Sequence, residues 1–140
     1  MNRLERTEVL IESPPEVARQ LADEIIQAHE VIELLAPRQG LAMMKLRESA
    51  KNSLFYMGEV LVTEAMVEIN GSVGIGLIKG AEPTRARDLA IIDAAFVAEL
   101  PETIVWAQRL HEEAAKLEHK RNLEHAQLLK TKVSFDTMST

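Results

Sequence analysis

The chain has 140 residues, 46% hydrophobic and 27% charged, with no cysteine and a formal net charge of −6. That length suits one domain with its own core. The missing cysteines exclude disulfides, thiolate zinc sites, iron–sulfur clusters and a cysteine nucleophile. Sixteen basic residues face twenty-two acidic ones, mixed along the chain, which argues against a nucleic-acid partner. No apolar run reaches the ~20 residues of a membrane helix. The start, Met1-Asn2-Arg3-Leu4-Glu5-Arg6, is too charged for a signal peptide, so a cytoplasmic protein is expected.

Ser13-Pro14-Pro15-Glu16 has the S-x-x-E form of a capping box, with proline at the first helical position. Val17, Leu21 and Ile25 follow at helical spacing with Ala18, Ala22 and Ile26 beside them, predicting a helix over about 14–29. Val31-Ile32-Glu33-Leu34-Leu35 then reads as a short strand closed by a turn at Pro37-Arg38-Gln39-Gly40. Leu41 to Arg47 reads as a second strand, and Glu48 to Asn52 as a polar connection.

The strongest β signal spans Glu59 to Lys79. Leu61, Thr63, Ala65, Val67 and Ile69 share one face; Val60, Val62, Glu64, Met66 and Glu68 share the other, more polar one. Asn70-Gly71 is the pair favoured by a type I′ turn, because both residues tolerate positive φ. The returning strand, Ser72 to Lys79, sets Val73, Ile75 and Leu77 on a common face and Gly74 and Gly76 on the opposite one. Two bare positions there let something approach the backbone closely, with a bulge or a helix packed tightly on the sheet as the structural reading.

Gly80 to Thr84 ends the hairpin and starts a second helix, with Leu89, Ile92 and Phe96 on its apolar stripe and Ala86, Ala90 and Val97 flanking it. Pro101 interrupts. A third helix runs from about 102 to at least 121, with Ile104, Ala107, Leu110, Ala114 and Leu117 expected to be buried. Lys132 to Met138 resembles an extended tail, with disorder expected after about Leu128 in the isolated chain. The predicted fold is α+β: an antiparallel sheet of three to four strands, with the hairpin at 59–79 central, packed against helices in the order helix, strands, helix, helix.

The chemistry is sparse. His29, His111, His119 and His125 lack metal-ligand spacing, since Ala115 occupies the second histidine position of an H-E-x-x-H motif begun at His111. The histidines are expected to face solvent, and no metal site is expected. Glu112 and Lys116 form an i,i+4 pair on a charged face. Asp93, set in an apolar run, is either an acid/base group or a structural carboxylate bonded to backbone or to an arginine such as Arg85 or Arg87. The glycines from Gly71 to Gly80 are not a phosphate loop, because the strand–loop–helix setting and the Lys-Ser/Thr ending are missing. The residues alone offer no self-contained active site.

Several motifs in order carry a resemblance. Gly58-Glu59-Val60-Leu61-Val62-Thr63-Glu64-Ala65, then Val67, Ile69 and Gly71, then Gly74-Ile75-Gly76 and Gly80, are similar to the PhnG family. Leu89 to Phe96 continues the match, and Lys132 to Met138 resembles the family's C-terminal signature. PhnG is a subunit of the bacterial carbon–phosphorus lyase system. The resemblance implies a core complex with PhnH-, PhnI- and PhnJ-type subunits, which exchanges the adenine of MgATP for an alkylphosphonate. It implies a hetero-oligomer in which this chain binds no cofactor alone and MgATP is the complex's substrate. The nucleosidase chemistry is usually attributed to the PhnI-type subunit, and the iron–sulfur radical step must lie on a partner. Phe55, Tyr56, Gly58 and Glu59, with the Val60, Val62, Glu64 and Met66 face, are the expected partner contacts. The competing readings are a free-standing α+β ligand-binding protein or enzyme using Asp93, Glu59 or a histidine, and a homo-oligomeric scaffold.

Overall fold

The structure is a computed structural model that describes residues 1–47 and 54–138, with side chains for 1–43 and 58–132. Its elements are α1 (Arg3–Glu12), α2 (Pro15–Ala28), β1 (Ile32–Arg47), β2 (Leu54–Ile69), β3 (Ser72–Lys79), α3 (Pro83–Val97) and α4 (Pro101–Met138). The three strands form one antiparallel sheet in the order β1-β2-β3. The expected α+β architecture is therefore present, with three strands among the described residues and one more helix at the front. The proposed polar connection at Glu48 to Asn52 lies outside the described residues.

The hairpin forms as its sequence predicts. Ile69 pairs with Ser72 across Asn70 and Gly71, whose φ values are 51° and 81°. Thr63, Ala65, Val67 and Ile69 are buried, and so are Gly74, Gly76 and Ile78 on β3. The glycine face turns inward and meets α3. A Cβ on Gly74 would lie 2.2 Å from the Ala90 carbonyl oxygen, and one on Gly76 would lie 1.9 Å from that of Ala86. Small residues on both sides let the helix backbone settle directly on the sheet. Of the readings open for the two glycines, close helix packing is the one observed.

Several expectations are corrected. Ser13 does not cap α2: Pro14 holds the N-cap position, no side chain caps the helix, and Ser13 closes α1 by donating its backbone N–H to the Val9 carbonyl at 2.9 Å. The adjacent prolines move the start of α2 along and leave Ser13 to the preceding helix. That helix, α1, has its own capping box: the Asn2 side chain accepts from the Glu5 backbone N–H at 2.8 Å, and Glu5 reaches back to the Asn2 backbone. Pro37 to Gly40 is not a turn. One strand runs through it, with register shifts between Glu33 and Leu35 and between Leu35 and Arg38. An edge strand tolerates proline because half its N–H groups have no ladder partner, and bulges absorb the mismatch.

In α4 the buried face is Thr103, Trp106, Leu110 and Glu113, while Ile104 is 79% exposed and Ala107 is also exposed. The helix is turned so that its tryptophan enters the core. Trp106 stacks at a tilt on Phe96, with ring centroids 5.9 Å apart, and donates its indole N–H to Glu24 at 2.5 Å. The segment from Lys132 to Met138 is helical, continuing α4, instead of the expected extended tail.

Candidate functional site

The buried ionisable groups hold the layers together. Asp93, at 6% exposure, accepts from Arg3 at 2.6 Å and from Arg6 at 3.3 Å, both on α1. It also accepts the Ile75 backbone N–H at 2.9 Å, a donor on the open edge of β3. One carboxylate thus ties α3 to α1 and seals a sheet edge. The structural role is the one observed, but its partners are Arg3 and Arg6, not Arg85 or Arg87. Arg6 also lies 3.9 Å over the Phe96 ring, and burial lowers its pKa against the opposing pull of Asp93. Arg85 instead donates to the last carbonyls of α1, at Leu10 (3.1 Å) and Ile11 (2.5 Å), groups that a helix end leaves unpaired.

Asp88, only 1% exposed, accepts from Arg19 on α2 at 3.0 Å. Burial raises its pKa above 3.8, with Arg19 opposing the shift. Asp88, Arg19 and Arg85 line a cleft of about 340 Å³ between the first turns of α2 and α3. Thr63 fixes the neighbouring junction: its hydroxyl donates to the Gly80 carbonyl at 2.6 Å and accepts from the Glu82 N–H at 3.0 Å.

Of the histidines, His111, His119 and His125 are exposed as expected. His29 is not solvent-facing. Its Nε2 lies 2.8 and 2.9 Å from the two Glu102 carboxylate oxygens, pinning the end of α2 to the start of α4. Glu112 does not pair with Lys116. It accepts from Gln108 at 3.3 Å, and Lys116 approaches the buried Glu113 at 3.4 Å. Among the described residues, no three histidine, aspartate or glutamate side chains stand together as a metal-binding group. Nor is any helix among them long and apolar enough to cross a membrane.

The sequence-predicted contact residues fall on two surfaces. Val60, Val62, Glu64 and Met66 are half-buried on the sheet face turned away from α3. There they lie beside Val73, Ile75 and Leu77, which are 40–51% exposed. This outer face is apolar with a few charges, and Arg38 donates to Glu64 on it at 2.7 Å. Glu59 is exposed and shares the other sheet face with Leu61, beyond the reach of α3. Gly58, with φ of 147°, stands where the β1–β2 register slips. Phe55 and Tyr56 pair with Leu46 and Lys45 in the backbone ladder, and their side chains lie outside the described set. The apolar row Val73, Ile75 and Leu77 was legible as a shared face, but not as the exposed one. The signal was available, since glycines opposite it mark the side on which a helix packs.

The molecule thus combines a body whose buried charges are bonded internally with a broad sheet face that nothing among the described residues covers. A family model described as "Phosphonate metabolism protein PhnG" matches residues 1–140. The chain belongs to the PhnG family. A PhnG relative from Rhizobium meliloti (strain 1021) is 34% identical over 118 residues, which cover 83% of this chain and 74% of the relative. That relative is named alpha-D-ribose 1-methylphosphonate 5-triphosphate synthase subunit PhnG. The PhnG membership inferred from the hairpin motifs is thereby established over the whole chain.

Proposed function

We propose that this chain is a supporting subunit of an alpha-D-ribose 1-methylphosphonate 5-triphosphate synthase in the cytoplasm. In this reading it joins PhnH-, PhnI- and PhnJ-type subunits, and the complex displaces adenine from MgATP with an alkylphosphonate. The catalytic groups lie on partners. The observation that carries the reading is the uncovered sheet face, where Val73, Ile75 and Leu77 stand exposed beside half-buried Val62 and Met66. Apolar surface of that kind marks a protein interface. The internal bonding of Asp93 and Arg85 supports the same reading, because a general acid/base needs its lone pairs or protons free for substrate.

Co-expression with the partner subunits is expected to give a stable complex with synthase activity. A monodisperse monomer that ignores them would contradict the proposal. A free-standing ligand-binding protein is the second reading, favoured by the Arg19–Arg85 cleft. Thermal shift of the isolated chain against MgATP and alkylphosphonates separates the two: micromolar binding, about 8 kcal/mol, favours the second.

A further inference from the structure

Among the described residues, two buried side-chain polar atoms have no hydrogen-bond partner: Ser13 Oγ and Arg85 Nε. Both residues line one cleft of about 590 Å³, where the end of α1, the first turn of α2 and the middle of α4 meet. Buried polar groups are normally paired, so two orphans in one cleft point to a missing partner. Ser13 is only 3% exposed. The Arg85 guanidinium is held through Nη2 by the Leu10 and Ile11 carbonyls, which fixes its plane and leaves the buried Nε–H without a bond.

The groups around the orphans define that partner's chemistry. Arginine only donates, so Nε requires an acceptor, and the Ser13 hydroxyl also has a proton to give. Pro14 and Pro15 open α2 at the cleft with no side-chain cap, which sets the positive end of a 14-residue helix there. Lys116 and Lys120 of α4 line it as well, whereas Glu12 is occupied by Arg121. These features suit an anion with several acceptor oxygens. One group opposes a bare anion: Glu113, 7% exposed, which lines the same cleft and is bonded to Lys116 at 3.4 Å. A carboxylate repels a fully deprotonated oxyanion but accepts a hydrogen bond from one that keeps an O–H. Inorganic phosphate keeps such a proton near neutral pH. Sulfate and an ionised carboxylate do not.

We propose that this cleft binds a phosphorus oxyanion carrying one O–H, with Ser13 and Arg85 donating to it and Glu113 accepting from it. Free phosphate and the phosphoryl end of a small ester share that chemistry. All the groups belong to this chain, so the site and the assembly reading stand or fall separately. A few hydrogen bonds in a water-filled cleft give an expected Kd of about 0.1–1 mM. That is weaker than the micromolar binding that marks a free-standing ligand-binding protein.

Calorimetric titration of the full chain with inorganic phosphate, glycerol 3-phosphate and sulfate tests the site, with Tm measured alongside. Wild type is expected to bind phosphate at least tenfold more tightly than sulfate. Ser13→Ala should weaken phosphate binding about tenfold, yet its Tm without phosphate should equal or exceed that of wild type, because an unbonded buried hydroxyl is gone. Glu113→Gln should bring phosphate and sulfate within about threefold of each other, through a gain in sulfate binding that misfolding does not produce. Lys130→Ala, which removes an exposed charge farther along α4, is the control and should change binding less than twofold. Tighter binding of glycerol 3-phosphate than of phosphate names an ester as the ligand, and the reverse names the free ion. A phosphate Kd above about 1 mM would mean that the cleft holds water only. Equal binding of sulfate by wild type, or an affinity that Ser13→Ala and Glu113→Gln leave unchanged, would mean an adventitious ion only. Each of these results overturns the site while leaving the subunit reading intact.

Discussion

In α3, every residue from Asp88 to Ala95 is buried, whereas in α4 every residue from 118 to 132 is exposed. Helix formation alone does not separate them, since both stretches are helical. The difference lies in what each can pack against. α3 presents alanines to a strand bearing glycines, so backbone meets backbone and leucine and isoleucine fill the flanks. The end of α4 spaces Leu123, Leu128 and Leu129 among charges and has passed the last element able to receive them. Burial follows the neighbours available, not the apolar content of a segment.

Disturbing the body should therefore be costly and disturbing the end of α4 cheap. Asp93→Ala should have the largest effect, about 3 kcal/mol in urea unfolding, because it leaves the half-buried Arg6 guanidinium uncompensated and frees the Ile75 N–H. Gly76→Ala comes next, at about 3 kcal/mol, since the new methyl collides with the Ala86 carbonyl of α3. Thermal unfolding would register it as a lowered Tm; an unchanged Tm would mean that α3 does not sit on the sheet as described.

Asp88→Asn should have a smaller, pH-dependent effect. Burial raises the folded pKa of Asp88, so the folded state keeps its proton to higher pH than the unfolded chain does. The associated stability is present at acidic pH and is lost as pH rises from about 3.8 through the folded value. Asparagine still accepts from Arg19 but does not titrate. Relative to wild type, the variant should gain Tm through that window and level off above it. The smallest effect belongs to Leu128→Glu in the isolated chain, within about 0.5 kcal/mol by chemical denaturation, as expected for a side chain with no tertiary neighbour.

The hairpin was legible because its signals are local: alternating faces, then Asn70-Gly71. Helix α2 is legible from its stripe, although Ser13 closes α1 instead of opening α2. The box at Asn2 and Glu5 is equally local, but the helix it starts buries only Leu10 and so carries little apolar periodicity. The merging of two strands into β1 was not readable, because Pro37 signals a turn unless the strand is known to lie at an edge. The rotation of α4 depends on a distant pocket formed by Phe96 and Glu24, which periodicity does not record. The outer sheet face was visible as alternation, and its exposure follows from all the packing helices lying on the other side. The overhang of β1 and β2 depends on β3 ending at Lys79 while its neighbours continue, a relation between strands and not a property of either.

The most direct test is amide hydrogen exchange on the isolated chain and on its complex with the other synthase subunits. In the isolated chain α3 and residues 62–79 should exchange slowly, and residues 122–132 at the end of α4 should exchange within the dead time or close to it. In the complex residues 62–79, whose outer face the partner covers, should exchange more slowly still. A protection pattern that binding leaves unchanged would contradict a self-sufficient body whose open sheet face is completed by a partner.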